Sequence, residues 1–113
     1  MSLLEQEHVR VVLLDSRNRV LGMPEMYQGS VHTTPVRIGE LLRDAIRVNA
    51  TSFVVLHNHP SGDPTPSSSD VHMTKLLLEA SKLMDIELFD HIVIAGGRYA
   101  SMRMLHMGFP ADV

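Results

Sequence analysis

The chain contains no cysteine, which excludes both a disulfide framework and a thiolate metal site. Any metal must then be held by histidine and carboxylate, and seven histidines are present to do it. A basic excess is missing too: the net charge is −3 and the pI about 6.1. Affinity for nucleic acid rests on clustered Lys and Arg that neutralise phosphates, so this domain alone is not expected to bind it. No apolar run approaches the roughly 18 residues of a membrane-spanning helix, and no membrane partner is expected. The first ten residues, MSLLEQEHVR, lack the apolar segment of a secretory signal. A cytoplasmic setting is the default expectation, and the opening reads as that of a domain cut from a longer chain.

What is present suffices for one folded unit. At 113 residues, 44% of them hydrophobic, the chain fits a single domain, 1–113, and a domain of this size buries roughly 65% of its unfolded surface. The run VRVVLLD, 9–15, followed by SRNR, reads as a buried strand entering a hairpin. Residues 19–23 are expected to return as its partner and 27–34 to form a third strand, with Pro24 and Pro35 in turns or at edges. Between 38 and 49 the period changes: Ile38, Leu41, Leu42, Ala45 and Ile46 share one helical face. SFVVLH, 52–57, is a short buried strand. A second helix is expected from Ser67 to about Met84, with Leu76, Leu77, Ala80, Leu83 and Met84 inward. A strand over 86–95, a tight Gly96-Gly97 turn and a closing strand RYASM complete the order β-β-β-α-β-α-β-β. The fold class is α/β (α+β), a mixed sheet flanked by helices. The methionine-rich tail reads as a short helix or an ordered end.

Between the second helix and the strand before it lies HNHPSGDPTPSSSD, residues 57–70. Residues i and i+2 of a strand face the same way, so His57 and His59 can converge on one point. Asp70, in the first turn of the next helix and reached through a stiff segment with Pro60, Pro64 and Pro66, would complete a His₂Asp site. Three protein ligands with a fourth position open to water is the arrangement of catalytic zinc. Each feature also has a plain structural use. Loop histidines are often solvated, Pro and Gly mark turns, and Ser67 and Asp70 fit the spacing of a helix capping box. The letters HNH are no sign of the nuclease family of that name, whose residues are spread over tens of positions.

The joint pattern H-x-H-P-x(6)-S-x-x-D resembles the signature of the JAMM (MPN-plus) metalloproteases, with His57, His59, Pro60, Ser67 and Asp70 filling it. HNHPSGDPTPS, EHVRVVLLDSRNRVLG, AIRVNA and LMDIELFDHIVIAGG extend the likeness to the bacterial RadC-like proteins. The resemblance implies the architecture shared by JAMM and cytidine-deaminase domains, and one zinc on His57, His59 and Asp70. It implies that Ser67 holds the oxyanion and that a glutamate before the first core strand is the general base. Glu7 matches that position, with Glu5 as the alternative. The implied activity is a zinc-dependent metalloprotease that cuts a peptide or isopeptide bond in a peptide or protein substrate. The chain departs from the family in two places: RIGE, 37–40, replaces a His-Pro-Arg-Glu stretch, and the family's N-terminal helix-hairpin-helix segment is absent.

A second function class is a non-catalytic binding module of a DNA repair or recombination protein. An intact ligand set argues against it, as does the acidic balance. A metal-dependent nuclease would need a basic groove that the sequence does not show. Asp90 and His91 should face opposite ways, as ordinary strand polarity or as a partner to a ligating histidine. His8, His32, His72 and His106 read as surface, and Asn58 and Ser61 as loop formers, with contact to substrate as their lesser alternative. Met102, Met104 and Met107 read as local packing, with contact to a partner or to a second copy in a homo-oligomer as the other use of such a patch.

Overall fold

The structure is a computed structural model that describes residues 6–29 and 38–110. Glu5, His32, and residues 30–34 of the expected third strand lie outside the described residues. Among the described residues, eight elements follow in the expected order. They are β1 (Glu7–Leu14), β2 (Val20–Gly22), β3 (Glu25–Gly29), α1 (Ile38–Arg47), β4 (Ser52–Asn58), α2 (Ser68–Met84), β5 (Glu87–Ala95) and β6 (Arg98–Ser101).

The strands form one mixed sheet in the order β2-β1-β4-β5-β6, with β3 also paired to β1. Since β4 takes one edge of β1 along Val9–Leu14, β2 and β3 must share the other edge, end to end. Among the described strands only β4 and β5 run parallel, and α2 is the crossover between them. Gly96 and Gly97, with φ of +58° and +72°, close the β5–β6 hairpin in the left-handed turn such hairpins favour.

Val9, Val11 and Leu13 pair across to His57, Val55 and Phe53, so these residues share one face, and all are buried. Leu41, Leu42 and Ala45 of α1 and Met73 and Leu77 of α2 pack into the core on this face. The other face, with Val12, Val54, Leu56, Ile92 and Ile94, is only half-buried.

Helix α1 keeps the expected stripe except at its end, where Ile46 is exposed. It stops at Arg47 because Asn49 turns left-handed (φ +57°), and Ala50 N–H then closes on the Ala45 carbonyl at 2.9 Å. Helix α2 departs further from expectation. Its buried stripe is Asp70, Met73, Thr74, Leu77 and Ser81, while Leu76, Leu83 and Met84 are exposed. The inward side is rotated toward polar residues because that side abuts the buried ends of β4 and β5.

Candidate metal centre

His57 lies near the end of β4, and its ring points into the core because Val9, its neighbour on β1, does. His59 follows Asn58, the last residue of β4, and its N–H still bonds to the Ile94 carbonyl of β5 at 2.9 Å. The loop beyond it is seated by close backbone approach. A Cβ added at Gly96 would lie 2.7 Å from the Gly62 carbonyl oxygen, so only glycine lets the hairpin turn meet the loop. The loop delivers the chain to α2, whose N-cap is Ser67. Ser67 N–H donates to Asp70 Oδ2 at 2.7 Å, and Asp70 N–H donates to Ser67 Oγ at 3.2 Å. The capping box is thus present, and it fixes the Asp70 carboxylate.

These three side chains meet. His57 Nε2 and His59 Nε2 are 3.0 Å apart, and each lies 3.0 Å from an Asp70 carboxylate oxygen. Ligand atoms about 2.0–2.1 Å from one tetrahedral zinc stand roughly 3.3 Å apart, so the spacing fits a small cation. The chemistry of the set fits as well, since two imidazole nitrogens and a carboxylate oxygen, each able to present a lone pair, converge on one point. Among the described residues this is the one group of three or more His, Asp or Glu side chains close enough to share an ion. Burial alone would raise the pKa of Asp70. The hydrogen bond and charge of His57, the Ser67 N–H and His59 outweigh it and hold the carboxyl well below the usual range.

Behind the ligands stands a second layer. His59 Nδ1 is 3.0 Å from the Asp63 carbonyl, the kind of partner that fixes a ligating ring. His57 Nδ1 is 2.7 Å from Nε2 of His91, and His91 Nδ1 is 2.7 Å from Thr74 Oγ1. His91 is fully buried, and burial, then the neighbouring His57, push its pKa down to about 3, so it is neutral. Ordinary strand polarity is therefore not what His91 provides. Asp90 and His91 do face opposite ways, but through a bulge: Phe53 pairs with Leu88 and Val54 with Asp90. Asp90 stabilises it by accepting from the N–H groups of His91 and Arg103 and from the Ser101 hydroxyl. The sequence signal for this layer is the pair Asp90-His91 itself; Thr74 carries none, being one threonine in a helix.

Glu7 is the first residue of β1 and half-buried. By alternation it shares the face of Val9 and sits one step beyond the Val9–His57 pair, at the metal end of the sheet. Asn58 is not a loop former: fully buried, it donates to the Gln6 carbonyl at 2.8 Å and accepts from His8 N–H. Its amide thereby clamps the backbone on both sides of Glu7. His8 is not a surface residue either. It is buried against Glu25, with Nδ1 2.6 Å from Oε1. His72 and His106 are exposed as expected, and Ser61 accepts weakly from Asp63 N–H within the loop. Met102 is buried and Met107 packs partly against the core, whereas Met104 is 80% exposed. No helix among the described residues is long and apolar enough to cross a membrane.

Comparison with known proteins agrees with this architecture. A family model described as RadC-like JAB domain matches residues 1–107. A UPF0758 protein of Roseiflexus sp. (strain RS-1) is 51% identical over 109 residues, which is 96% of this chain and 47% of that protein. A UPF0758 protein of Chloroflexus aurantiacus is 48% identical over the same share of this chain and 48% of its own. One from Clostridium botulinum is 39% identical over 103 residues, 91% of this chain and 45% of the relative. The chain thus spans about half the length of the relatives it matches.

Proposed function

The chain belongs to the RadC-like JAB domain family, and from that premise we propose that it is a zinc-dependent hydrolase of peptide or isopeptide bonds. The observation that carries the reading is the convergence of His57, His59 and Asp70 within 3.0 Å of one another. Those residues would hold the ion, which when bound supplies an acidified water and a polarised scissile carbonyl. Glu7 is the general base: it takes the proton of the attacking water and later returns it to the leaving amine. The Asn58 clamp supports this reading, since it fixes the backbone on both sides of Glu7. Ser67 donates a hydrogen bond from its hydroxyl to the developing oxyanion. That role is compatible with capping, in which Oγ only accepts. The buried core behind the ligands excludes water from one side, leaving approach from the side of half-buried His59.

The test pairs metal content with turnover. About one zinc per chain by elemental mass spectrometry, lost in His57→Ala, is expected. Glu7→Gln should retain that zinc yet lose cleavage of a defined peptide mixture by at least about 100-fold, within the range of general-base contributions. Zinc-free wild-type protein after zinc is added back would sink the metal reading. Undiminished cleavage by Glu7→Gln would sink the assignment of the base.

A further inference from the structure

His57 has two ring nitrogens, and only a lone pair on Nε2 can serve the metal. Which nitrogen carries the proton is set by what the other one meets. Nδ1 of His57 meets His91 Nε2 at 2.7 Å, and His91 Nδ1 meets Thr74 Oγ1 at 2.7 Å. Thr74 Oγ1 in turn donates to the Asp70 main-chain carbonyl at 2.9 Å. All three side chains are at most 1% exposed, so water takes no part.

The hydroxyl of Thr74 has a single proton. With that proton on the Asp70 carbonyl, Oγ1 faces His91 as an acceptor. His91 then carries its proton on Nδ1 and offers Nε2 to the Nδ1–H of His57, whose Nε2 is left as a lone pair. We propose that His91 and Thr74 are positioning residues that stabilise His57 in this Nδ1-protonated tautomer; the proposal rests on the metal reading above.

The same contacts admit one other complete setting, with every proton reversed and His57 Nε2–H directed at Asp70 Oδ1. That setting blocks the ligand position. Thr74 makes the favourable setting available because it alone can accept from His91 Nδ1. Without Oγ1, the favourable setting leaves a buried N–H without a partner, whereas the blocked setting leaves only an unpaired lone pair. The orphaned donor is the costlier of the two. The C-terminal turn holds Thr74 in place for this task. A Cβ at Gly108 would fall 2.8 Å from Thr74 Cβ, so the turn lies directly on it, and Met102 Sδ is 3.6 Å from Oγ1.

The experiment combines two measurements on wild type, Thr74→Val and Thr74→Ser, each checked by circular dichroism for a native fold. Zinc affinity is measured by competition with a chelating dye. Imidazole protonation in the zinc-loaded wild type is read from long-range ¹H–¹⁵N correlation spectra. The expected results are a proton on Nδ1 of His91, a loss of about 10–100-fold in zinc affinity in Thr74→Val, as for other outer partners of metal ligands, and recovery to within a few-fold in Thr74→Ser. A proton on Nε2 of His91, or Thr74→Val binding within twofold of wild type, overturns the proposal while leaving the metal site intact. Wild type that binds no zinc overturns both.

Discussion

Helices α1 and α2 feed the same core with different chemistry. α1 buries Leu41, Leu42 and Ala45, an apolar stripe whose only task is packing. α2 buries Asp70, Thr74 and Ser81 alongside Met73 and Leu77, and each polar member has its partner. Asp70 has His57, His59 and the Ser67 N–H; Thr74 has His91 and a carbonyl; Ser81 has the Leu78 carbonyl. A helix that carries a site must send polar groups inward, and every one of them must be satisfied there. Its apolar residues are then pushed outward, as Leu83 at 86% exposure shows.

The largest effects should separate the two helices cleanly. Leu41→Ala in α1 should cost about 2–5 kcal/mol of stability, measured by chemical denaturation, with zinc per folded chain unchanged. Asp70→Ala in α2 should abolish zinc binding in elemental analysis. If Leu41→Ala instead lost zinc while remaining folded, the division of labour between the helices would be wrong.

Gly96→Val tests the loop that joins the site to the sheet. Its Cβ cannot coexist with the Gly62 carbonyl, and φ is positive, so stability should fall by at least about 1–3 kcal/mol. Zinc affinity should fall with it, because the displaced loop carries His59. Unchanged affinity in a dye competition would show that His59 is positioned independently of the turn.

A graded effect is expected from pH. The pKa of His91 is lowered from 6.5 to about 3 in the folded state. The unfolded chain therefore binds the extra proton first. This contribution to stability is complete above about pH 6.5 and is lost as pH falls toward 3. Asp70, also lowered, acts in the same direction but only below the ordinary carboxylate range. The melting temperature of zinc-free protein should therefore start to fall below pH 6.5, and His91→Gln should flatten the upper part of that slope. An equal slope in the variant would remove His91 from the account. The smallest change belongs to the outer face of α2. Leu83→Lys should alter stability by no more than about 0.5 kcal/mol, whereas the same substitution at buried Leu77 should prevent folding.

Much of the site was legible because its residues are close in sequence. His57 and His59 obey the two-residue strand repeat, and Ser67 and Asp70 obey the three-residue capping repeat, so local geometry places each pair. The inner face of α2 was not legible. Counting apolar residues selects Leu76, Leu83 and Met84, because the pattern assumes that what is buried is apolar, and here part of it is a polar layer behind the ligands. Asn58 and His8 were misread for a related reason. An asparagine after a strand and a histidine near a chain start look solvated, until distant partners take up their side chains: the backbone of residues 6 and 8 for Asn58, and Glu25 for the His8 ring.

The order of the elements, the capping box of Ser67 and Asp70 and the set of candidate ligands all follow from spacings of a few residues, and so they could be read from the chain alone. The facing of His91 depends instead on long-range contacts. Strict alternation from the inward Leu88 would bury Asp90 on the site face and turn His91 away. The bulge at Phe89 and Asp90 reverses that parity, and it exists because Asp90 finds Ser101 and Arg103 across the β5–β6 hairpin. No local rule contains that contact, since its energy comes from residues more than ten positions away.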